Sequence, residues 1–337
     1  MDFKFFVGVD VSKDTLDFAV YGENKLLLER NVANTTVEIK AFVKELKKVF
    51  SSEPTAFVFC MEHTGIYCNY LVNYLGKEKL AAWIENPLAI KSFIGIDRGK
   101  SDRVDARRIA EYAYYKRSKI RLWQAPREVV KKLKNLLSIR ERLVKTRKAL
   151  TVAVNTAEGF VDKDLVNTNK KITEPIIDRL NVQLKIVEKE IQELINKDPD
   201  LKKFNTVLSS VTGIGSIISA NMIVATNEFK SIDDPRKMAC HSGLAPFRYE
   251  SGTSIRGRSK VSHRANKKLK TLFHLAARAA ISAKGELRDY YLRKVQEGKN
   301  KMAVLNAVGN KLIHRAFACI KQNRRYEKNY AAVLAKA

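Results

Sequence analysis

Residues 3–11, FKFFVGVDV, are apolar or β-branched throughout except for Lys4, Gly8 and Asp10. A short run of this kind predicts a strand covered on both faces, so the chain must supply layers above and below it. Two more strand-like segments follow at 15–21 and 25–33. They are separated by the turn signals Ser12-Lys13-Asp14 and Gly22-Glu23-Asn24, which predicts a three-strand meander. An aspartate near the end of a buried strand is costly unless a donor or a cation satisfies it. Asp10 therefore needs a chemical reason.

The next segments extend the pattern. A helix is expected at about 36–49, with Ile39, Phe42, Val43 and Leu46 on one face. Pro54 opens a fourth strand, TAFVFCM, which ends at Glu62. Gly65 heads a helix whose buried stripe is expected to be Ile66, Tyr70, Leu71 and Tyr74. A fifth strand at 79–85 precedes Asn86-Pro87 and another helix. This order predicts an α/β domain with mixed strand directions. Open sheets of that class place chemistry beyond the carboxyl ends of their strands, where Asp10 and Glu62 stand. Asp102 and Asp105, in GKSDRVDARRIAEY, lie three apart at the start of a helical stretch and so point to one side. Acids in a first helical turn also serve as ordinary caps, and for this pair both readings stay open. Asp10 and Glu62 interrupt β-runs in which nothing local would pair them. The four carboxylates together would suit a divalent metal.

At 337 residues the chain has room for two or three domains, and 45% hydrophobic content excludes a largely disordered protein. Its formal charge of +27 makes a polyanion, nucleic acid first, the expected partner. A basic membrane-surface protein is the competing class. No apolar run reaches the roughly 18 residues of a spanning helix, which argues against a membrane partner. No charged and then apolar leader is visible, so the expected location is cytoplasmic. Cys60, Cys68, Cys240 and Cys319 are scattered without a C-x-x-C pair, and the five histidines lack ligand spacing. Any metal should therefore be held by oxygen.

From Lys116 to Lys148 there are 13 Lys or Arg against Glu128 and Glu141. Val129, Leu133, Leu136, Leu143 and Leu150 thread through this stretch as a single apolar seam, predicting a helix with a basic, phosphate-binding exterior. Asn155 to Thr173 breaks the pattern. Thr173 is expected to cap a second helix with Pro175 in its first turn, its seam running through Ile177, Leu180, Leu184, Val187, Ile191 and Leu194. Asp198-Pro199 ends it. The two helices suit a coiled-coil spacer, paired within one chain or between chains.

The segment VLSSVTGIGSIISANMIVAT sets Gly213 and Gly215 in a turn between two apolar helices. That fits a helix-hairpin-helix, whose backbone N–H groups can face a phosphate, with a tight turn between packed helices as the lesser alternative. A polar loop is expected between Pro246 and Ser262, carrying Arg248, Arg256, Arg258 and Lys260. A basic helix follows, with Lys267, Lys268 and Lys270 outward and Leu269, Leu272, Phe273, Leu275 and Ala276 toward a core. Serines in such a loop serve as phosphate contacts or, beside cations and a metal, as a nucleophile. Two more helices are expected across 285–322, then a loosely docked tail with Tyr326 and Tyr330.

The strings GVDVSKD, MEHTGIY and KSDRVDARRIA, in this order, resemble the DEDD-motif transposases of the insertion-sequence-one-ten family. RYESGTSIRGRSKVS resembles that family's C-terminal signature, although Ser262-His263-Arg264-Ala265-Asn266 stands where relatives usually carry Lys-x-Gly. The resemblance runs from residue 1 to about 320. It implies a RuvC/RNase H-like DEDD domain at 1–122, a coiled-coil helical spacer at 123–200, a mainly helical transposase domain at 201–325 and a tail at 326–337. It makes Asp10, Glu62, Asp102 and Asp105 the ligands of Mg2+, two ions with Mn2+ as substitute. It makes Ser251 the nucleophile, with Ser254 as fallback and Ser242 set aside.

On the same resemblance the partners are element-end and target DNA, a structured non-coding bridge RNA, and further copies of the chain, from dimer to tetramer, in a prokaryotic cell. Acids of one copy would work with the serine of another. Arg103, Arg107, Gly213, Gly215, Arg248, Arg256, Arg258, Lys260, Lys267 and Lys268 are the candidate nucleic-acid contacts. The implied activity is excision and insertion of an element through a phosphoserine intermediate. A metal-only RuvC-like nuclease or Holliday-junction resolvase, with Ser251 a phosphate contact, is the alternative, and a non-catalytic nucleic-acid scaffold is a third reading.

Overall fold

A computed structural model describes residues 3–62, 65–94, 101–157, 159–251, 255–261 and 265–327. The chain divides into two compact units, Met1–Ala125 and Pro126–Ala337.

The first unit is built on a five-stranded sheet of β1 (Phe5–Val11), β2 (Thr15–Gly22), β3 (Lys25–Ala33), β4 (Phe57–Glu62) and β5 (Ala81–Glu85), in the order β3-β2-β1-β4-β5. β1 pairs antiparallel with β2, and β2 with β3, while β1–β4 and β4–β5 are parallel. A meander followed by parallel strands in this order is the RNase H-like arrangement that the family resemblance implies. Helices α1 (Thr36–Phe50), α2 (Asn69–Lys77), α3 (Pro87–Ile94) and α4 (Asp102–Tyr115) complete the unit. The alternation of β1 and β4 sorts the core. Val7, Val9, Phe57, Phe59 and Met61 join Ile39, Phe42 and Leu71 on one face. Phe6, Val58 and Cys60 join Trp83, Ile90, Ile109 and Ala113 on the other. Both faces of the central strands are covered, as the apolar run at 3–11 requires.

Two local expectations are corrected. Residues 54–56 form a 3₁₀ turn, and the fourth strand starts at Phe57. The buried stripe after Gly65 is Cys68, Leu71, Val72 and Leu75, whereas Ile66 and Tyr70 are 74% and 58% exposed. The reason is a 3₁₀ turn over Gly65–Cys68. Its three residues per turn shift the phase of everything that follows.

The second unit opens with α5 (Glu128–Ala157) and α6 (Lys163–Lys197), which pair antiparallel: Arg140 bonds Glu188 and Arg147 bonds Asn181. α6 begins ten residues before the expected cap at Thr173, and Pro175 lies inside it. The apolar stripe reaches back to Val166, buried at 7%, so packing carries the helix through a proline that removes one backbone donor. Thr173 donates its hydroxyl to the Asn169 carbonyl instead of capping. Then come α7 (Pro199–Ser209), α8 (Ser216–Ala225), α9 (Pro235–His241), α10 (Lys267–Ser282), α11 (Glu286–Gln296) and α12 (Lys301–Lys321). Val130, Leu133, Leu137, Leu184, Val187, Ile191 and Ile195 bury the α5–α6 side, most of them in the same core as α7–α12. Leu275, expected inward, is 51% exposed, because the buried face of α10 is Leu269, Phe273, Ala276, Ala277 and Ala280. Residues 246–251 and 255–261 are not a polar loop. They form two antiparallel strands, β6 (Pro246–Ser251) and β7 (Ile255–Val261). Cys60, Cys68 and Cys319 are buried thiols, and Cys240 is half-buried. Among the described residues no helix is long and apolar enough to cross a membrane.

A buried ion cluster closes this unit. Arg127, just ahead of α5, donates to both carboxylate oxygens of Asp198 and to Glu228, whose side chain is 2% exposed. Glu228 is the middle of three residues with positive φ, between Asn227 and Phe229. Phe229 packs on Phe204 and Phe317, so contacts on both sides hold a turn that is unfavourable for L-residues. Burial pushes the Glu228 carboxyl up, but Arg127 and Lys230 outweigh it and leave it below the usual range. A carboxyl lowered on folding contributes stability above its unfolded pKa and loses it as pH falls. Arg127→Met is therefore expected to cost about 3 kcal/mol at pH 7, because Glu228 is left buried beside Lys230 alone. Denaturant melts should show that deficit shrinking below about pH 4.

Candidate active site

The sheet face beneath α4 collects acids from all five strands. In β1, Phe6, Gly8 and Asp10 point to one face, and in β4, Val58, Cys60 and Glu62 point to the same one. Asp10 stands opposite Asp17 across the β1–β2 ladder, and Glu62 opposite Glu85 across β4–β5. α4 lies over these strands and brings Asp102 and Asp105 in its first turn. Ser101 caps that turn, its hydroxyl accepting from the Val104 N–H, and its carbonyl accepts from the Asp105 N–H.

What sets the helix over the acids is Gly8. A Cβ on Gly8 would stand 2.2 Å from the Ala106 carbonyl oxygen and 2.2 Å from the Ala110 nitrogen, so strand and helix meet at backbone distance. Two residues along a strand advance about 6.6 Å, the rise of roughly 4.4 helical residues. From Gly8 beneath Ala106–Ala110, that step carries Asp10 to the level of Asp102 and Asp105, because α4 runs antiparallel to β1. The electrostatics agree. Burial, and then the negative charges of Asp102, Asp105, Glu62 and Asp17, push Asp10 up to about 6. Asp105 accepts from Arg108 at 3.2 Å.

The four expected acids thus share one electrostatic neighbourhood. Among the described residues, however, no three acidic, His or Cys side chains draw close enough to enclose an ion. The four expected acids offer carboxylate oxygen, which fits a hard divalent cation. The mutual repulsion felt by Asp10 is the kind a cation relieves.

The other expected residues fall elsewhere. Arg103 and Arg107 both donate to Glu29 of β3. Gly213 has a φ of +98°, and a Cβ there would meet the Ala276 carbonyl oxygen at 2.5 Å, so it is the point where the α7–α8 turn touches α10. Gly215 precedes α8 and has open space around it. Ser251 ends β6 opposite Ile255, Arg248 lies in β6, and Arg256, Arg258 and Lys260 lie in β7. Lys267 is exposed at the start of α10, and Lys268 bonds Glu141 of α5 at 3.0 Å. Ser242 is fully buried after α9. Tyr326 is tied down: its N–H donates to the Ser210 hydroxyl, and its own hydroxyl accepts from Arg315. Ser254, Tyr330 and the departure at 262–264 lie outside the described residues.

Three acids escaped the sequence reading. Asp17 is buried and accepts from Asn31, Glu29 accepts from two arginines, and Glu85 accepts from Tyr112 of α4 at 3.0 Å. Strand alternation was the available signal for Asp17, which interrupts an apolar strand as Asp10 does. Glu85 ends its strand as Glu62 does.

Residues 7–157 match a family model of DEDD type described as "Transposase", and residues 205–292 match one described as "Transposase IS116/IS110/IS902 family". A pilin gene-inverting protein of Moraxella bovis is 26% identical over 96% of this chain and 98% of its own length. A transposase of insertion sequence element IS1111A from Coxiella burnetii is 24% identical over 95% of this chain and 90% of its own. Among solved structures, RuvC of T. thermophilus bound to a Holliday junction substrate is similar at 14% identity and a TM-score of 0.29, over 36% of this chain and 99% of that one.

Proposed function

Since the chain belongs to the IS110 family of DEDD transposases and is an enzyme acting on DNA, we propose that it cuts and rejoins DNA strands through a serine ester. The observation that carries this reading is the convergence of Asp102, Asp105, Glu62 and Asp17 on Asp10 under the first turn of α4. In this reading Asp10, Glu62, Asp102 and Asp105 hold Mg2+, as two ions and with Mn2+ as substitute. The cation supplies positive charge to offset the scissile phosphate and its departing oxygen.

The chain's own groups do the rest. The Ser251 oxygen forms an ester to phosphorus, giving up its proton as the bond to the departing deoxyribose oxygen breaks, and that oxygen takes up a proton. Attack by a second DNA hydroxyl reverses the sequence and frees the serine. The phosphodiester is conserved at each step, so no external energy source is needed. Gly213 and Gly215 act as a helix-hairpin-helix on one backbone. Arg248, Arg256, Arg258, Lys260 and Lys267 contact phosphate, and α5 with α6 serves as a coiled-coil spacer between copies in a dimer or tetramer. The strong basic charge also serves a bridge RNA, whose pairing chooses the sites. The assignment of 1–122, 123–200 and 201–325 to these three tasks belongs to the same reading. The Moraxella relative favours inversion between two sites as a second outcome of the same chemistry.

The experiment is a trap. Protein incubated with element-end DNA and Mg2+ is expected to give an SDS-resistant protein–DNA adduct that Ser251→Ala abolishes. Cleaved product without adduct, from a Ser251→Ala protein that stays active, would leave a metal-only nuclease.

A further inference from the structure

Asp102 and Asp105 sit in the first turn of α4, so whatever fixes that turn on the sheet fixes the acids. One flank of the helix carries an unusual contact. Glu29 of β3 stands opposite Ala19, the alanine that packs under Ala106 and Ala110. Its side chain is 12% exposed, although β3 is an edge strand and Asn31, two residues on, is exposed. Arg103 donates Nε at 3.1 Å and Nη2 at 2.7 Å to Oε2 of Glu29. Arg107, one turn later, donates Nη2 at 2.7 Å to Oε2 and its Nε to Oε1. Four N–H donors from two successive turns end on one carboxylate. The hydrogen bond from Arg107 leads, burial opposes it, and with Arg103 the balance holds Glu29 at about 2.

Such a contact restrains the helix differently from a single exposed pair. Two planar forks meeting one carboxylate fix both the height of the first two turns and their rotation about the helix axis. The unit offers a comparison: Arg30 and Glu45 also pair through two N–H donors, but join β3 to α1, away from the acids. We propose that Glu29 is a positioning residue which, by gripping Arg103 and Arg107, holds the first turn of α4, and with it Asp102 and Asp105, over Asp10, so that little further movement is needed to close the acids on a divalent cation. The proposal rests on the reading of the four acids as cation ligands.

Mn2+ is the probe, titrated into full-length protein and followed by the EPR signal of the free ion, with thermal melts in parallel. Glu29→Gln is expected to weaken Mn2+ binding at least tenfold, the lower end of what lost ligand-orienting partners cost. Arg103→Gln/Arg107→Gln should weaken it equally, and the triple variant should be no worse than either, because all break one contact. Arg30→Gln should bind Mn2+ as the wild type does, which separates positioning from a general loss of stability. A folded Glu29→Gln or arginine variant with wild-type affinity overturns the proposal, and so do effects that add. Should Glu29→Gln fail to fold, Arg103→Lys/Arg107→Lys keeps the charges without the forks, and wild-type affinity there overturns it too. The underlying reading fails on a different result, Mn2+ binding that Asp10→Asn leaves unchanged.

Discussion

Asp10→Asn is expected to reduce DNA strand cleavage by at least about 10³-fold while raising the melting temperature of the metal-free protein. Both effects have one cause. Asp10 is half-buried and faces Asp102, Asp105, Glu62 and Asp17, and the cost of keeping it charged there shows in its rise to about 6. Folding brings these charges together, so the site is a strained element that the rest of the sheet must support. Asparagine keeps the shape and removes one repelling charge. After allowing for solvent screening at a half-buried site, the relief is about 1–2 kcal/mol, or roughly 3–6 °C for a unit of this size. Divalent cation should reverse the order. The wild type gains stability from Mg2+ by mass action and the variant gains less. Paired melts in EDTA and in Mg2+, beside a cleavage assay, check all three statements. A variant that melts lower in EDTA, or that still cuts DNA, would show that these carboxylates do not repel one another or do not serve the reaction.

The acids were legible in the sequence because strand alternation is local. A charged residue near the carboxyl end of an apolar β-run is anomalous whatever the run packs against, and Asp10 and Glu62 announce themselves that way. The first sheet was legible for the same reason, since its meander is punctuated by short polar turns. What failed depended on distant partners or on a change of period. α-Helical spacing puts Ile66 and Tyr70 inward, because a 3₁₀ turn at Gly65–Cys68 cannot be told from α-helix by spacing alone. The pairing of β6 with β7 hid behind Gly, Ser and Arg, residues that usually mark loops, although Tyr249 stands opposite Gly257 and Ser251 opposite Ile255 across the ladder, beyond an irregularity between Phe247 and Tyr249. Pro175 read as a helix start because Val166, two turns earlier, gave no sign that packing would extend the helix past it. Glu29 was the hardest to see: its arginine partners stand 74 and 78 residues away. No window on the sequence joins them.

Gly8→Ala is expected to be the most damaging single-methyl change in the first unit, in both stability and activity. Ordinary overpacking pushes one side chain against another and costs about 1–3 kcal/mol, because rotamers can give way. Here the new methyl would meet a backbone carbonyl, a backbone nitrogen and the Ala110 Cα at 2.8 Å, none of which has a rotamer. Carbon atoms settle at about 3.5–4 Å, so α4 must retreat from β1 by roughly 1 Å or more or the strand must buckle. The cost should exceed the roughly 3 kcal/mol upper range of ordinary overpacking. Retreat has a chemical consequence that a core defect elsewhere lacks. Asp102 and Asp105 move with the helix while Asp10 and Glu62 stay with the sheet, and a misplacement of about 1 Å at a reacting centre can cost about 10²-fold. A folded Gly8→Ala protein should therefore need far more Mg2+ to reach half-maximal cleavage and should show a smaller rise in melting temperature on adding it. A double variant, Gly8→Ala with Ala110→Gly, removes only the Ala110 Cβ and leaves all three opposing backbone atoms in place, so it should not recover. If Gly8→Ala alone kept both wild-type stability and wild-type metal dependence, the close approach of β1 and α4 would not be what brings the acids together.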